Sequence, residues 1–315
     1  MAVRVAEEWL NACSGCEISL VDMGERLLEL LEQLELVHMP VLMDHKYFGQ
    51  LGDRDHLEIP EAQVGILTGG IRNAEHLEVA REMRRKCDTL IAMGTCATHG
   101  GIPALANSFS TRELLDRYYS TETTDRPENI PDQGVPEQLE RCYALEEKVP
   151  VDLSLPGCPP HPDTLYAALM GLVLRSLPEL PGKSVCDACP THREGKGALR
   201  RLRRFLQNPQ YESSEPLDRM RCFLEQGLLC LGPVTRAGCG GEQKTPRCIS
   251  ARVPCRGCFG PVKPQGNQML DMLNGLASNQ IDIGSLPEHT SLLRFSGAHG
   301  LLRSPSADEE DPWQK

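Results

Sequence analysis

Aromatic residues are scarce: phenylalanine, tyrosine and tryptophan together make only 4 % of the 315 residues. So thin a supply gives no sign of a flavin-stacking or base-stacking surface. No window approaches the ~18 consecutive apolar residues that would span a bilayer. The longest apolar-leaning run, TLYAALMGLVLRSL, is too short and is interrupted by Arg175. The N-terminus, MAVRVAEEWLNACSGC, lacks the charged stretch, apolar core and twin-arginine pair of a secretion leader. A net charge of −11 lacks the basic excess that a phosphate backbone rewards, which argues against nucleic-acid binding while leaving local basic patches open. The segment GGIRNAEH has no G-x-G-x-x-G spacing, so it is no dinucleotide fingerprint. A cytoplasmic chain without a membrane span is the expectation.

What is abundant is cysteine, with fourteen, alongside 28 glycines and 24 prolines that imply much turn and loop. A reducing compartment does not staple proteins with disulfides, so metal binding becomes the default use of these thiols. The first ~180 residues alternate strand-like and helix-like signals, the pattern of a parallel α/β sheet. VRVAEEWL, ELVHMP, QVGILTGG, CDTLIAMG and VDLSLPG read as strands. EISLVDMGERLLELLEQL (17–34) puts Ile18, Val21, Leu27, Leu28 and Leu31 near one face of a single amphipathic helix. NAEHLEVAREMRRK reads as a helix capped by Asn73, STRELLDRYY as one with a capping box from Ser110 to Glu113, and HPDTLYAALMGLVLRSL as a third. Residues 120–150 are polar and proline-rich and read as a surface excursion.

Three parts follow. Residues 1–181 form the α/β domain, 182–265 a loop-rich domain with eight cysteines, and 266–315 a helical piece, NQMLDMLNGLA, with a Ser/Pro/acid-rich mobile tail. Within the middle part GALRRLRRFLQN (197–208) reads as a basic amphipathic helix, more a solvated face than a docking site.

The cysteines fall into sets. Cys13 and Cys16 follow the first strand as CSGC, Cys96 sits in GTCATHGG past another, and Cys158 sits in PGCPP past a third. Carboxyl ends of parallel strands gather along one edge, so these four thiols converge there. Flanking glycines let backbone pass close to a bulky inorganic group. Cys186, Cys189, Cys222, Cys230, Cys239, Cys248, Cys255 and Cys258 supply two further sets of four. Cys87 and Cys142 are left over as plain thiols. Structural zinc favours two short C-x-x-C pairs per site, whereas each set here has at most one. Iron–sulfur clusters accept thiolates from separate loops, which favours them over zinc and over free redox thiols.

The order CSGC, GGIRNAEH, GTCATHGGIPA, PGCPP, then a cysteine-rich module ending PCRGCFGP, resembles the small subunit of [NiFe] hydrogenases over about residues 3–275. It is most similar to the cytosolic group typified by the methyl-viologen-reducing hydrogenase of methanogens, which serves heterodisulfide reductase. The resemblance implies a flavodoxin-like domain holding a proximal [4Fe–4S] cluster through Cys13, Cys16, Cys96 and Cys158. It implies a distal cluster on Cys186, Cys189, Cys222 and Cys230, and a medial one on Cys239, Cys248, Cys255 and Cys258. Periplasmic relatives often place a histidine where Cys186 stands and lack Cys248. Cys248 therefore implies a four-iron medial cluster. The implied function is electron transfer between the nickel–iron site of a large subunit and an iron–sulfur or flavin acceptor subunit, of heterodisulfide reductase or diaphorase type. The neighbouring readings are the small subunit of an NAD(P)-linked sulfhydrogenase or deazaflavin-reducing hydrogenase, and, in another class, a zinc-stabilised scaffold. Relatives that face the membrane carry a twin-arginine leader and a hydrophobic anchor, and neither is expected here.

Near the first set, Glu17 reads as a helix cap rather than a proton carrier. His76, His99 and His161 read as structural donors rather than tuners of a cluster.

Overall fold

A computed structural model describes residues 2–49, 51–122, 130–174, 176, 179–195, 201–203, 206, 208–264, 266–286 and 288–304. The chain divides into two compact units, each built from separate stretches. The first comprises residues 1–14, 34–154 and 297–315, and the second 15–33 and 155–296.

The first unit is organised by a sheet of β1 (Val3–Trp9), β2 (Leu34–His38), β3 (Ala62–Thr68), β5 (Cys87–Met93) and β7 (Leu153–Leu155), in the order β2-β1-β3-β5-β7. That is the flavodoxin-like order, with a reversal between β1 and β3. β1 pairs parallel with β2 and β3, and β3 with β5. The central strands are near-continuous apolar runs because both faces are covered. Ile66, Leu67, Leu90 and Ile91 are all buried, each contributing ~1.5–3 kcal/mol of apolar burial. Met83, Val79 and Ala80 of α3 (Ala74–Lys86) join this core. The Asn73 side chain caps α3 by accepting from the His76 amide, and Ser110 with Glu113 forms the capping box of α5 (Thr111–Tyr119), both as the sequence implies.

The stretch 120–150 departs from its reading as a surface excursion. Residues 123–129 lie outside the described residues, but β6 (Gln138–Tyr143) turns back and pairs antiparallel with β4 (Ile71–Asn73). Cys142, Ala144 and Leu145 are fully buried, and the Asn107 amide clamps both backbone groups of Cys142. The tail also departs from expectation as far as residue 304. Ala298 is buried and its amide donates to the His99 carbonyl at 3.2 Å. Residues 305–315 lie outside the described residues.

In the second unit the expected helix 17–34 is two helices, α1 (Gly15–Val21) and α2 (Glu25–Leu31), broken at Gly24. Its apolar positions do not all face inward: Leu30 is buried, whereas Ile18, Val21 and Leu28 are exposed. Both helices pack on α6 (Pro162–Val173). The cysteine-rich stretch has little regular structure, and three short elements serve it: α7 (Val185–Ala188), α8 (Arg247–Ser250) and α9 (Gln268–Ser278). Two small apolar clusters support it, one around Phe223, Met220 and Ile249, the other around Leu231, Met272 and Leu292. Most of the basic stretch 197–208 lies outside the described residues. Arg201, Leu202 and Arg203 are not helical there: Arg203 bridges to Leu228 in extended form, and Leu202 turns into the core. Among the described residues no helix is long and apolar enough to cross a membrane.

Candidate functional site

None of the fourteen cysteines is in a disulfide, and the fold places the twelve motif cysteines in loops and short helices rather than in its core sheet. Cys13 lies four residues past β1, and Cys96 lies in α4 (Thr95–His99) directly past β5. These parallel strands deliver both thiols to the same carboxyl edge of the first unit's sheet. Cys16 and Cys158 belong to the second unit. There, the Ser19 hydroxyl, one turn past Cys16, donates to the Pro160 carbonyl at 2.6 Å, tying α1 to the PGCPP turn.

The eight remaining motif cysteines all lie within the second unit. Cys186, Cys189, Cys222 and Cys230 line one cavity of about 280 Å³, together with Val185, Phe223, Ile249 and Met272. Cys186 rides on α7, whose N-terminus is fixed by Ser184 and Asp187 bonding reciprocally. Burial pushes the Cys186 and Cys230 thiols up to about 12, with neighbouring thiols of the same set adding to the effect. Burial likewise raises Cys222. Backbone N–H groups oppose this: Gly232 and Cys255 donate toward Cys230, and Leu224 and Glu225 toward Cys222. Such donors are what a sulfur carrying negative charge needs in a dry site.

Cys239, Cys248, Cys255 and Cys258 form the other group. Burial raises Cys255 and pushes Cys258 up to about 12, and Cys248 is a neighbouring charge for both. Burial raises Cys239 as well, again with Cys248 beside it. Two contacts join the groups to what flanks them. The Cys255 amide donates to the Cys230 sulfur at 3.3 Å, and a Cys158 backbone group hydrogen-bonds the Cys258 thiol. The opening of α8 presents Cys248, with Ile249 buried beneath it.

The donor set fits an iron–sulfur cluster. The thiols of Cys186, Cys189, Cys222 and Cys230 stand around a volume instead of converging on a point. Among the described residues no three His, Cys, Asp or Glu side chains close on a position for a single metal ion. Thiols held neutral by burial ionise when iron offsets the desolvation of the thiolate.

The three histidines near the first set each have a local partner. His161 is the N-cap of α6, its Nδ1 accepting from the Asp163 amide at 3.2 Å. His76 Nδ1 accepts from the Arg72 amide at 3.3 Å, and His99 meets the Thr98 hydroxyl at 2.7 Å. Glu17 is buried in the first turn of α1. Thr191, whose hydroxyl lies 3.1 Å from the Cys189 sulfur, was not visible in the spacing of the motifs. Nor was the buried network of Glu8, His38 and Tyr47, in which both the His38 ring and the Tyr47 hydroxyl reach one Glu8 oxygen. Two adjacent glutamates inside a strand were its only signal.

The chain is similar to known hydrogenase subunits. The family model for the NADH ubiquinone oxidoreductase 20 Kd subunit matches residues 13–172. A subunit of the F420-non-reducing hydrogenase vhu of Methanocaldococcus jannaschii is 38 % identical over 96 % of this chain and 97 % of its own length. The F420-non-reducing hydrogenase iron-sulfur subunit of Archaeoglobus profundus is 33 % identical over 88 % of each. Among solved structures, a chain of an NAD+-reducing [NiFe]-hydrogenase in the H2-reduced state matches with a TM-score of 0.52 at 32 % identity, covering 57 % of this chain and 96 % of that one.

Proposed function

Because this chain belongs to the family of iron–sulfur subunits of F420-non-reducing hydrogenases, we propose that it holds three [4Fe–4S] clusters and carries electrons between a nickel–iron site in a large partner subunit and an acceptor subunit. It is a subunit of a hydrogenase, an oxidoreductase. The proximal cluster sits on Cys13, Cys16, Cys96 and Cys158, the distal on Cys186, Cys189, Cys222 and Cys230, and the medial on Cys239, Cys248, Cys255 and Cys258. The shared cavity of Cys186, Cys189, Cys222 and Cys230 is the observation that carries the reading.

Bound clusters supply reversible one-electron states whose potentials follow ligand type, hydrogen bonding and solvent exposure. The chain's own residues supply the rest. Four thiolates per site exclude other ligands. Burial of Cys230 and Cys255 keeps water from the sulfurs, and backbone N–H groups from Gly232, Gly257 and Cys255 stabilise their negative charge. By ligand order the functional parts are 1–181 with the proximal site, 182–265 with the other two, and 266–315 as a helical segment and tail. The acceptor is an iron–sulfur subunit of heterodisulfide reductase type or a flavin subunit of diaphorase type, and the complex works in the cytoplasm. Subunits that copurify with the chain identify which.

Metal and acid-labile sulfide analysis tests the core of this. Three four-thiolate sites predict roughly twelve iron per chain, with low-temperature EPR of reduced four-iron clusters. About three zinc and no sulfide would overturn the reading in favour of a zinc scaffold.

A further inference from the structure

We infer that Asp163 is a positioning residue that sets the separation of the proximal and medial clusters by pinning two ligand loops to each other. The inference rests on the ligand assignment above. Asp163 lies in the first turn of α6, five residues past Cys158, and Glu242 lies three residues past Cys239. The Glu242 amide donates to Asp163 Oδ2 at 2.9 Å. Asp163 Oδ1 in turn faces Arg26 Nη1 at 3.2 Å, and the same guanidinium nitrogen reaches Glu242 Oε1 at 3.1 Å. Arg26 belongs to α2 and is held over the Tyr166 ring, its Cζ 5.2 Å from the ring centre. One carboxylate thus binds the loop after Cys239, the turn after Cys158 and the helix pair that begins at Cys16.

The loop is shaped for that carboxylate. Gly241 has φ +60°, and a Cβ there would stand 2.6 Å from His161 Nδ1 and closer still to Asp163 Oδ2. No other residue lets the backbone come so near. Fold stability is a poor explanation for so specific a fit. The side chains of Arg26 and Glu242 are 38 % and 68 % exposed, and ion pairs at such exposure contribute little. Geometry is what the clamp determines, and electron tunnelling falls steeply with distance.

The test uses the purified hydrogenase complex, reduced and examined by EPR, where two neighbouring reduced clusters split each other's signals through space. Asp163→Ala and Gly241→Ala should keep the full iron content, weaken the proximal–medial splitting and shift the medial midpoint potential. Asp163→Asn retains an oxygen for the Glu242 amide and should recover most of the native splitting. Native splitting and potentials in Asp163→Ala would overturn the proposal. So would loss of iron from Asp163→Ala, which would make the residue a fold support, or failure of Asp163→Asn to recover. Separately, full iron content in Cys239→Ala would overturn the ligand assignment alone.

Discussion

Cys248 stands in the opening turn of α8, where a proline is tolerated because the first amides of a helix have no partner inside it. Its sulfur is near enough to Cys239, Cys255 and Cys258 to add to the rise in each. That proximity supports grouping it with the other three. In the site we propose, Cys248→Pro removes one thiolate without disturbing the backbone. The expected outcome is a three-iron EPR signal in the oxidised medial site and the loss of one iron per chain. Full iron in that variant would sink the assignment of this quartet. The leftover thiols contrast with it. Burial pushes Cys87 and Cys142 up to about 11, no other thiol contributes to either shift, and Asn107 occupies the backbone of Cys142. In the sequence one opens a strand and the other falls in no motif, which is why neither joins a set in the assignment we propose.

At the scale of elements, what was legible was local. Strands β1, β3 and β5 announce themselves by short apolar runs, and Asn73 and Ser110 by cap chemistry three residues long. What was missed depends on distant partners. The pairing of β6 with β4 sets Tyr143 opposite Ile71 and Gln138 opposite Asn73, in a register broken by a bulge, and no local pattern encodes it. The single helix expected over 17–34 failed differently. Its apolar period runs unbroken across Gly24, so periodicity could not see the break. Gly24 adopts φ 61°, ψ −129°, which only glycine enters without strain. A Cβ there would meet nothing within 4 Å, so the cost of a side chain is backbone strain alone. Gly24→Ala should therefore destabilise the protein by ~1–3 kcal/mol, read as a lower urea midpoint with an unchanged slope. An unchanged midpoint would mean that the α1–α2 junction relaxes freely. The period also could not tell which apolar side chains this chain covers: Leu30 is buried while Leu28, two positions earlier, is 66 % exposed.

For the whole molecule the question is the order of the sites along an electron path. In the assignment we propose, the distal set precedes the medial set in the chain. Contacts in the second unit support the middle place we propose for Cys239, Cys248, Cys255 and Cys258. Cys258 touches the backbone at Cys158 on one side, and the Cys255 amide bonds the Cys230 sulfur on the other. In that assignment, an electron crossing from the Cys158 loop to the cavity of Cys186, Cys189, Cys222 and Cys230 would meet Cys258 and Cys255 on its way. If this order is the functional one, damage at the far end should leave the near end working. Cys222→Ser exchanges a thiolate for a weaker donor at the cavity wall, at the far end of the path we propose. In the assembled hydrogenase, exchange between H2 and D2O should persist, and hydrogen should still reduce the proximal and medial clusters to their EPR-active states. Electron delivery to the acceptor subunit should fall by at least tenfold. Loss of H2/D2O exchange along with acceptor reduction would place Cys222 near the start of the path. Undiminished acceptor reduction would show that electrons leave before reaching this cavity.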